Sequence, residues 1–179
     1  VDQPAAPPPS LDALIPADIA RKAEAVGVTK IGLRLDRLVV LGVLAGAFIA
    51  LGAIFSTAVT AGGDLAPGIA RLLGGLTFSL GLVLVVLAGA ELFTGNNLIV
   101  MATASRRVRV TALLRHWLIV YLANFVGAVA TALLVYGSGF FEGGEGATGV
   151  RALDIAATKT SLGFAEAVLL GVLANALVC

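Results

Sequence analysis

Uncharged stretches set the layout of this chain. No formal charge falls in the 26 residues between Arg37 and Asp64, the 19 between Arg71 and Glu91, or the 14 between Glu91 and Arg106. Another 26, counting His116 as neutral, separate Arg115 from Glu142, and 13 follow Glu166. A membrane-spanning helix needs about 20 predominantly apolar residues. The pattern predicts spans at about 38–60, 70–105 and 112–138, and a fourth, within 159–179, that is cut short. The second is the unusual one. As a straight helix, the 34 residues between Arg71 and Arg106 would reach about 51 Å at 1.5 Å per residue, against a hydrocarbon core of roughly 30 Å. Two full crossings do not fit, so the reading is one crossing broken by non-helical backbone. The break is expected at its polar stretch, Glu91-Leu92-Phe93-Thr94-Gly95-Asn96-Asn97, with the Thr-Gly-Asn-Asn quartet as an unwound kink. Irregular backbone at that depth survives only where protein buries it or a water-filled cavity meets it.

Ahead of the first span, residues 1–15 read as a flexible Pro-rich tail without a signal-peptide pattern. Residues 16–36 read as a cytoplasmic amphipathic helix and linker. Ile15, Ile19, Ala23 and Val26 recur on one face, and Gly27 is the expected stop. Such a helix either lies on the membrane surface or packs on the protein's own cytoplasmic face. Residues 37–140 form a three-span unit, 141–158 an external loop, and 159–179 the start of a second unit. Nine of the twelve Lys and Arg precede the first span or separate the second from the third. The positive-inside rule then places the N-terminus in the cytoplasm, with Trp117 and Tyr121 as interfacial anchors.

Composition narrows the class. Of 179 residues, 59% are hydrophobic and 13% charged, against about 45–50% and 25% in soluble domains. An all-α polytopic membrane protein follows. A net charge of +1 leaves no basic excess for nucleic acid. One histidine, His116, and one cysteine, Cys179, supply neither a metal-ligand set nor a nucleophile–base pair, so no metal, no cofactor and no enzyme activity are expected. Cys179 reads as a buried small residue. Gly42, Gly46 and Ala50 on the first span, and Gly127 and Thr131 on the third, are small residues that permit close helix approach.

Residues 41–47, Leu-Gly-Val-Leu-Ala-Gly-Ala, return as Leu-Gly-Val-Leu-Ala-Asn-Ala at 170–176, six matches in seven at an offset of 129. Chance similarity in Leu/Ala/Gly-rich sequence competes with a true repeat. A true repeat of three spans per unit would run inverted, with a site at the repeat interface. It would also place on the order of 100 further residues, with a second broken helix, after Cys179.

Two stretches resemble signatures of the formate/nitrite transporter family of bacterial inner-membrane anion channels. They are Gly89-Ala90-Glu91-Leu92-Phe93-Thr94-Gly95-Asn96-Asn97-Leu98, and Phe164 to Ala167 with Gly171 to Cys179; the Ala23–Lys30 segment fits as well. The resemblance implies an aquaporin-like inverted repeat of six spans, here truncated within the fourth, and a homopentamer with one pore per protomer. The family's central pore histidine is then absent from this chain, and His116, beside Arg115 and Trp117, is not that residue. The implied substrate is a small monovalent anion, formate first, with proton-coupled passage; nitrite and hydrosulfide are alternatives. An aquaporin-type pore for neutral solutes shares the architecture, but no Asn-Pro-Ala box is present.

The resemblance also assigns candidate residues. Thr94 is the loop threonine facing the pore centre, and Asn175 its polar neighbour. Phe78, Leu82, Leu92 and Phe93 form apolar constrictions, and Lys159 marks the outer vestibule. From the residues alone, Thr94 could equally cap a half-helix, and Asn175 could make an interhelical hydrogen bond. Phe78 and Leu82 could pack against lipid or core, and Lys159 could snorkel. Glu91 and Glu166 are costly near the membrane and are expected to be paired or bonded to backbone amides. Glu91, Gly95, Asn96 and Asn97 are read as structural residues of the break. The backbone N–H groups opening the half-helix after it are expected to face the gap.

Overall fold

The computed structural model describes residues 15–63 and 65–178, and the regular elements among them are helical. The tail over 1–14, Asp64 and Cys179 lie outside the described residues. Among the described residues, three helices are long and apolar enough to cross a membrane: α2 (Leu35–Val59), α3 (Pro67–Ala88) and α6 (Val110–Gly137). They are apolar on every side yet bury only a minority of their surface, leaving Leu72, Leu87 and Leu134 more than 70% exposed. Helices of that kind need lipid or further protein around them.

Glycine sets how closely they pack. A Cβ on Gly42 would stand 2.6 Å from that of Ala123, one on Gly46 would collide with the Asn124 carbonyl, and one on Gly127 with the Val43 carbonyl. Thus α2 and α6 meet backbone to backbone. The same holds for α2 and α3, where a Cβ on Gly52 would lie 2.8 Å from the Phe78 carbonyl oxygen, and one on Gly81 2.8 Å from that of Phe48. Close approach of this kind lets dispersion do what hydrophobic burial cannot do in lipid.

The amphipathic helix α1 (Pro16–Ile31) outruns the expected stop at Gly27. Pro16 opens it, and Asp18 and Lys30 suit the two ends of its dipole. Gly27 is instead a buried contact point. A Cβ there would sit 3.2 Å from the Ala102 Cβ and 3.3 Å from the Ile99 Cα of α5 (Ile99–Ala104). Glycine costs an isolated helix about 1 kcal/mol, and close packing on α5 offsets that. Helix α1 thus packs on the protein at Gly27, while Ile15, Ile19 and Val26 of its apolar face stay exposed.

Helix α3 ends at Ala88, ahead of the expected break. Gly89 takes a left-handed φ of +60°, and the Ala90 N–H returns to the Val85 carbonyl at 3.0 Å, a glycine-type helix stop. Residues 90–92 are non-helical, and α4 (Phe93–Asn96) is a single turn before α5. The Thr94-Gly95-Asn96-Asn97 quartet is therefore not the unwound element. It holds most of a helical turn, and the unwinding lies at Gly89 to Leu92 because Gly89 supplies the left-handed stop.

Beyond α6, where a loop is expected over 141–158, the chain instead forms a 3-10 turn, Phe140–Glu142, and a helix, α7 (Ala147–Thr160). Gly143, Gly144 and Gly146 carry the chain between the two, and they masked the helix in the sequence. A 108° bend then leads to α8 (Phe164–Val178), so the chain enters the fourth apolar segment at Phe164 and not at 159.

Candidate functional site

The segment after α3 is held by one amide from α6. Asn124 Nδ2 donates to the Gly42 carbonyl at 2.8 Å and to the Glu91 carbonyl at 2.9 Å, while its Oδ1 accepts the Phe93 N–H at 2.8 Å. The Glu91 N–H in turn donates to the Leu41 carbonyl at 3.2 Å. Non-helical backbone in an apolar setting needs such partners, since an unmade hydrogen bond there costs about 1–3 kcal/mol. Because Asn124 engages the Phe93 N–H, that opening amide does not face the gap as expected.

The Glu91 carboxylate is 5% exposed and receives the Lys30 Nζ of α1 at 2.6 Å. Glu91 is thus paired, as its depth requires. Glu166, by contrast, is exposed on the first turn of α8 and makes no ion pair among the described residues. Asn96 is fully buried; its Nδ2 donates to the Leu92 carbonyl at 3.0 Å, and its own carbonyl accepts Trp117 Nε1–H at 3.0 Å. Asn97 Nδ2 reaches Asn175 Oδ1 of α8 at 2.8 Å, and Asn175 Nδ2 donates to the Gly171 carbonyl at 2.8 Å.

A cavity of about 380 Å³ opens beside this segment, lined among others by Leu82, Leu92, Thr94, Gly95, Lys30 and Glu91. Three of the six candidate pore residues meet there. Phe78, Phe93 and Asn175 are not part of its lining. Phe93 stacks edge-on against Trp117 and Tyr121, with ring centroids 6.0 and 5.6 Å apart. Phe78 stands one turn before Leu82 on α3, and Asn175 is tied to Asn97. Lys159 is exposed in the last turn of α7, which places it before the bend and not on the fourth apolar helix.

Lys30, Asn124 and Trp117, none of them among the candidate site residues of the sequence, carry the architecture of the site. Asn124 had a readable signal: it is a strongly polar side chain midway along an uncharged run. Trp117 read as an interfacial anchor, but it serves the Asn96 carbonyl and the Phe93 ring. His116 is 4% exposed, deeper than an interfacial position implies.

Comparison with known proteins agrees with this architecture. The model of the family described as formate/nitrite transporter matches residues 17–179. The formate channel FocA of Escherichia coli (strain K12) is 43% identical over 169 residues, 94% of this chain and 59% of that protein. The formate channel BtFdhC of Bacillus thuringiensis is 36% identical, covering 92% of this chain and 63% of its own length. A solved structure described as a pentameric formate channel with formate bound superposes with a TM-score of 0.74 at 34% identity, over 92% of this chain and 59% of that one. The chain thus spans about 59–63% of the length of these relatives, each described as a formate channel. With its apolar helices and these matches, the chain belongs to the formate/nitrite transporter family of membrane proteins.

Proposed function

We propose that this chain supplies the first three-span repeat, and the start of the second, of a homopentameric inner-membrane channel for small monovalent anions, formate first. The observation that carries the reading is the cavity beside the α3 break, which Thr94 lines together with Leu82 and Leu92. In this reading α3, the non-helical segment, α4 and α5 form one interrupted crossing. In an aquaporin-like inverted repeat a second unit packs against it, and the basic residues support a cytoplasmic α1. The relatives described as formate channels support the substrate class.

A small anion entering an apolar constriction loses hydration worth several kcal/mol. Thr94 returns part of that as a hydrogen bond, while Leu82 and Leu92 exclude hydrated ions by dewetting. Asn175, held by Asn97, and Phe78 and Phe93 extend the polar and apolar lining once the second repeat is in place. Lys159 draws anions to the outer vestibule. Passage through the dry zone favours the transiently protonated weak acid, which makes flux proton-coupled. Full-length protein in liposomes tests this: formate, nitrite and hydrosulfide should cross faster than glycerol, with formate flux rising as pH falls. Equal leakage of glycerol would reject an anion pathway, and pH-independent formate flux would reject the coupling.

A further inference from the structure

Where α1 hands over to α2, a cavity of about 140 Å³ lies against α6. Ile31, Leu33, Leu35 and Leu38 line it from the α1–α2 joint, and Arg115 and His116 line it from α6. It shares no lining residue with the cavity beside Thr94. The space is therefore separate from the candidate pore.

Three observations give it the character of an anion site. His116 is 4% exposed, and its Nε2 is buried without a hydrogen-bond partner among the described residues. Leaving such a nitrogen unmatched is costly, and a ligand in the adjoining cavity can supply the missing partner. Arg115 is exposed and makes no ion pair among the described residues. Helix α2 starts at the same joint, and its N-cap, Arg34, makes no side-chain capping bond. The first N–H groups of a long helix lack partners within it and carry the positive end of its dipole. Acidic groups leave this positive character standing. Within three positions of any lining residue the sequence has one, Asp36, which Arg34 holds through two hydrogen bonds of 3.2 Å. The charges of Glu91 and Lys30 reach His116, but these two are paired with each other.

We propose that this cavity binds a short-chain monocarboxylate, its carboxylate at Arg115, His116 and the α2 N-terminus and its alkyl tail on Leu33, Leu35 and Leu38. Guanidinium suits the head, because its planar N–H groups match two carboxylate oxygens. The leucines suit the tail. Phosphate fits poorly, since the same leucines would strand its remaining oxygens without partners. An anionic lipid shares the chemistry of charged head and apolar tail, so the experiment separates the two sources. A ligand here ties the α1–α2 joint to α6. Capture in this cavity does not depend on the channel reading given above.

The test is equilibrium dialysis of 14C-butyrate against full-length protein in phosphatidylcholine nanodiscs. One saturable site per protomer is expected, about 4-fold weaker for each methylene removed on the way to acetate. Arg115→Gln should weaken binding about 10-fold, as expected for losing a hydrogen bond between charged groups. His116→Phe keeps a ring without the nitrogen and should cost about as much. Because Arg115 is exposed, its variant decides the matter if the buried histidine variant does not fold. Thr94→Val should bind butyrate within about 2-fold of the natural chain, since the two cavities are separate. Absence of saturable binding, binding unchanged by Arg115→Gln, or competition by phosphate would overturn the proposal. Binding lost in Thr94→Val would overturn it by placing the ligand in the pore. Displacement by phosphatidylglycerol in the disc would do so by giving the cavity to a lipid. If full-length protein carries no formate yet binds butyrate in this pattern, the channel reading falls and this site stands.

Discussion

Lys30 Nζ lies 2.6 Å from Glu91 Oε2, an ion pair that joins the last turn of α1 to the non-helical segment after α3. The carboxylate is almost wholly buried and the ammonium about a quarter exposed. Removing one partner leaves the other charge without a counterion in a poor solvent. Lys30→Met should therefore destabilise the protein by about 3 kcal/mol, or roughly 6–12 °C in the unfolding midpoint. Lys30→Met/Glu91→Leu should recover most of that loss. Thermal unfolding in detergent checks both. A double variant as unstable as the single one would mean that the pair contributes net stability and not merely mutual neutralisation.

Asn124 makes three hydrogen bonds across two other parts of the chain. Asn124→Leu should leave the Phe93 N–H and the Gly42 and Glu91 carbonyls without that partner, at about 1–3 kcal/mol for each group left unsatisfied. Hydrogen exchange should then accelerate at residues 89–98 while the middle of α6 stays protected. Equal protection in the variant would mean that another group takes over the bonds.

How far these features could be read beforehand depended on whether they are local. Three long apolar helices follow from uninterrupted runs of uncharged residues, because the bilayer demands them at that length. The tight α2–α6 crossing was legible in Gly42, Gly46 and Gly127. The polar stretch Thr94 to Asn97 looks like the helix breaker, but the chain leaves the helix a few residues earlier because Gly89 supplies the left-handed turn. The partners of Glu91 and Phe93 could not be read at all. Lys30 is 61 positions from Glu91 and Asn124 is 31 from Phe93, and no periodicity links residues so far apart. Helix α7 leaves little trace in the sequence, because its charged, glycine-flanked stretch carries no long apolar run.

The glycine contacts give a sharp internal control. Gly46→Ala would drive a methyl into the Asn124 carbonyl, whereas Gly75 has nothing within 4 Å of its would-be Cβ. Gly46→Ala should cost about 1–3 kcal/mol or more through overpacking, while Gly75→Ala should be neutral or slightly stabilising because alanine is the better helix former. Thermal unfolding of the two variants in parallel separates a backbone contact from a general intolerance of the added methyl.

Leu82 and Leu92 line the same cavity from α3 and from the non-helical segment. If they exclude water, Leu82→Ala/Leu92→Ala should wet the passage and raise glycerol leakage in full-length protein, with formate selectivity falling even where total flux increases. A variant with unchanged glycerol permeability would remove these two side chains from the constriction.

Thr94 offers the test closest to the chemistry. Thr94→Val keeps the branched shape and replaces the hydroxyl by a methyl group, so the cavity beside Leu82 and Leu92 loses polarity without gaining much space. A hydrogen bond to a charged ligand is worth about 1.5–3 kcal/mol, and each 1.4 kcal/mol is a factor of ten. Formate flux through full-length Thr94→Val should thus fall roughly 10- to 100-fold at equal protein in the membrane, and Thr94→Ser should retain most of it. The serine variant separates the two roles available to this hydroxyl. If Thr94 serves only the helical turn it sits on, Thr94→Val should lower the unfolding midpoint and change flux only in proportion to the folded protein remaining. If it meets the permeating ion, flux should fall by far more than the loss of folded protein accounts for.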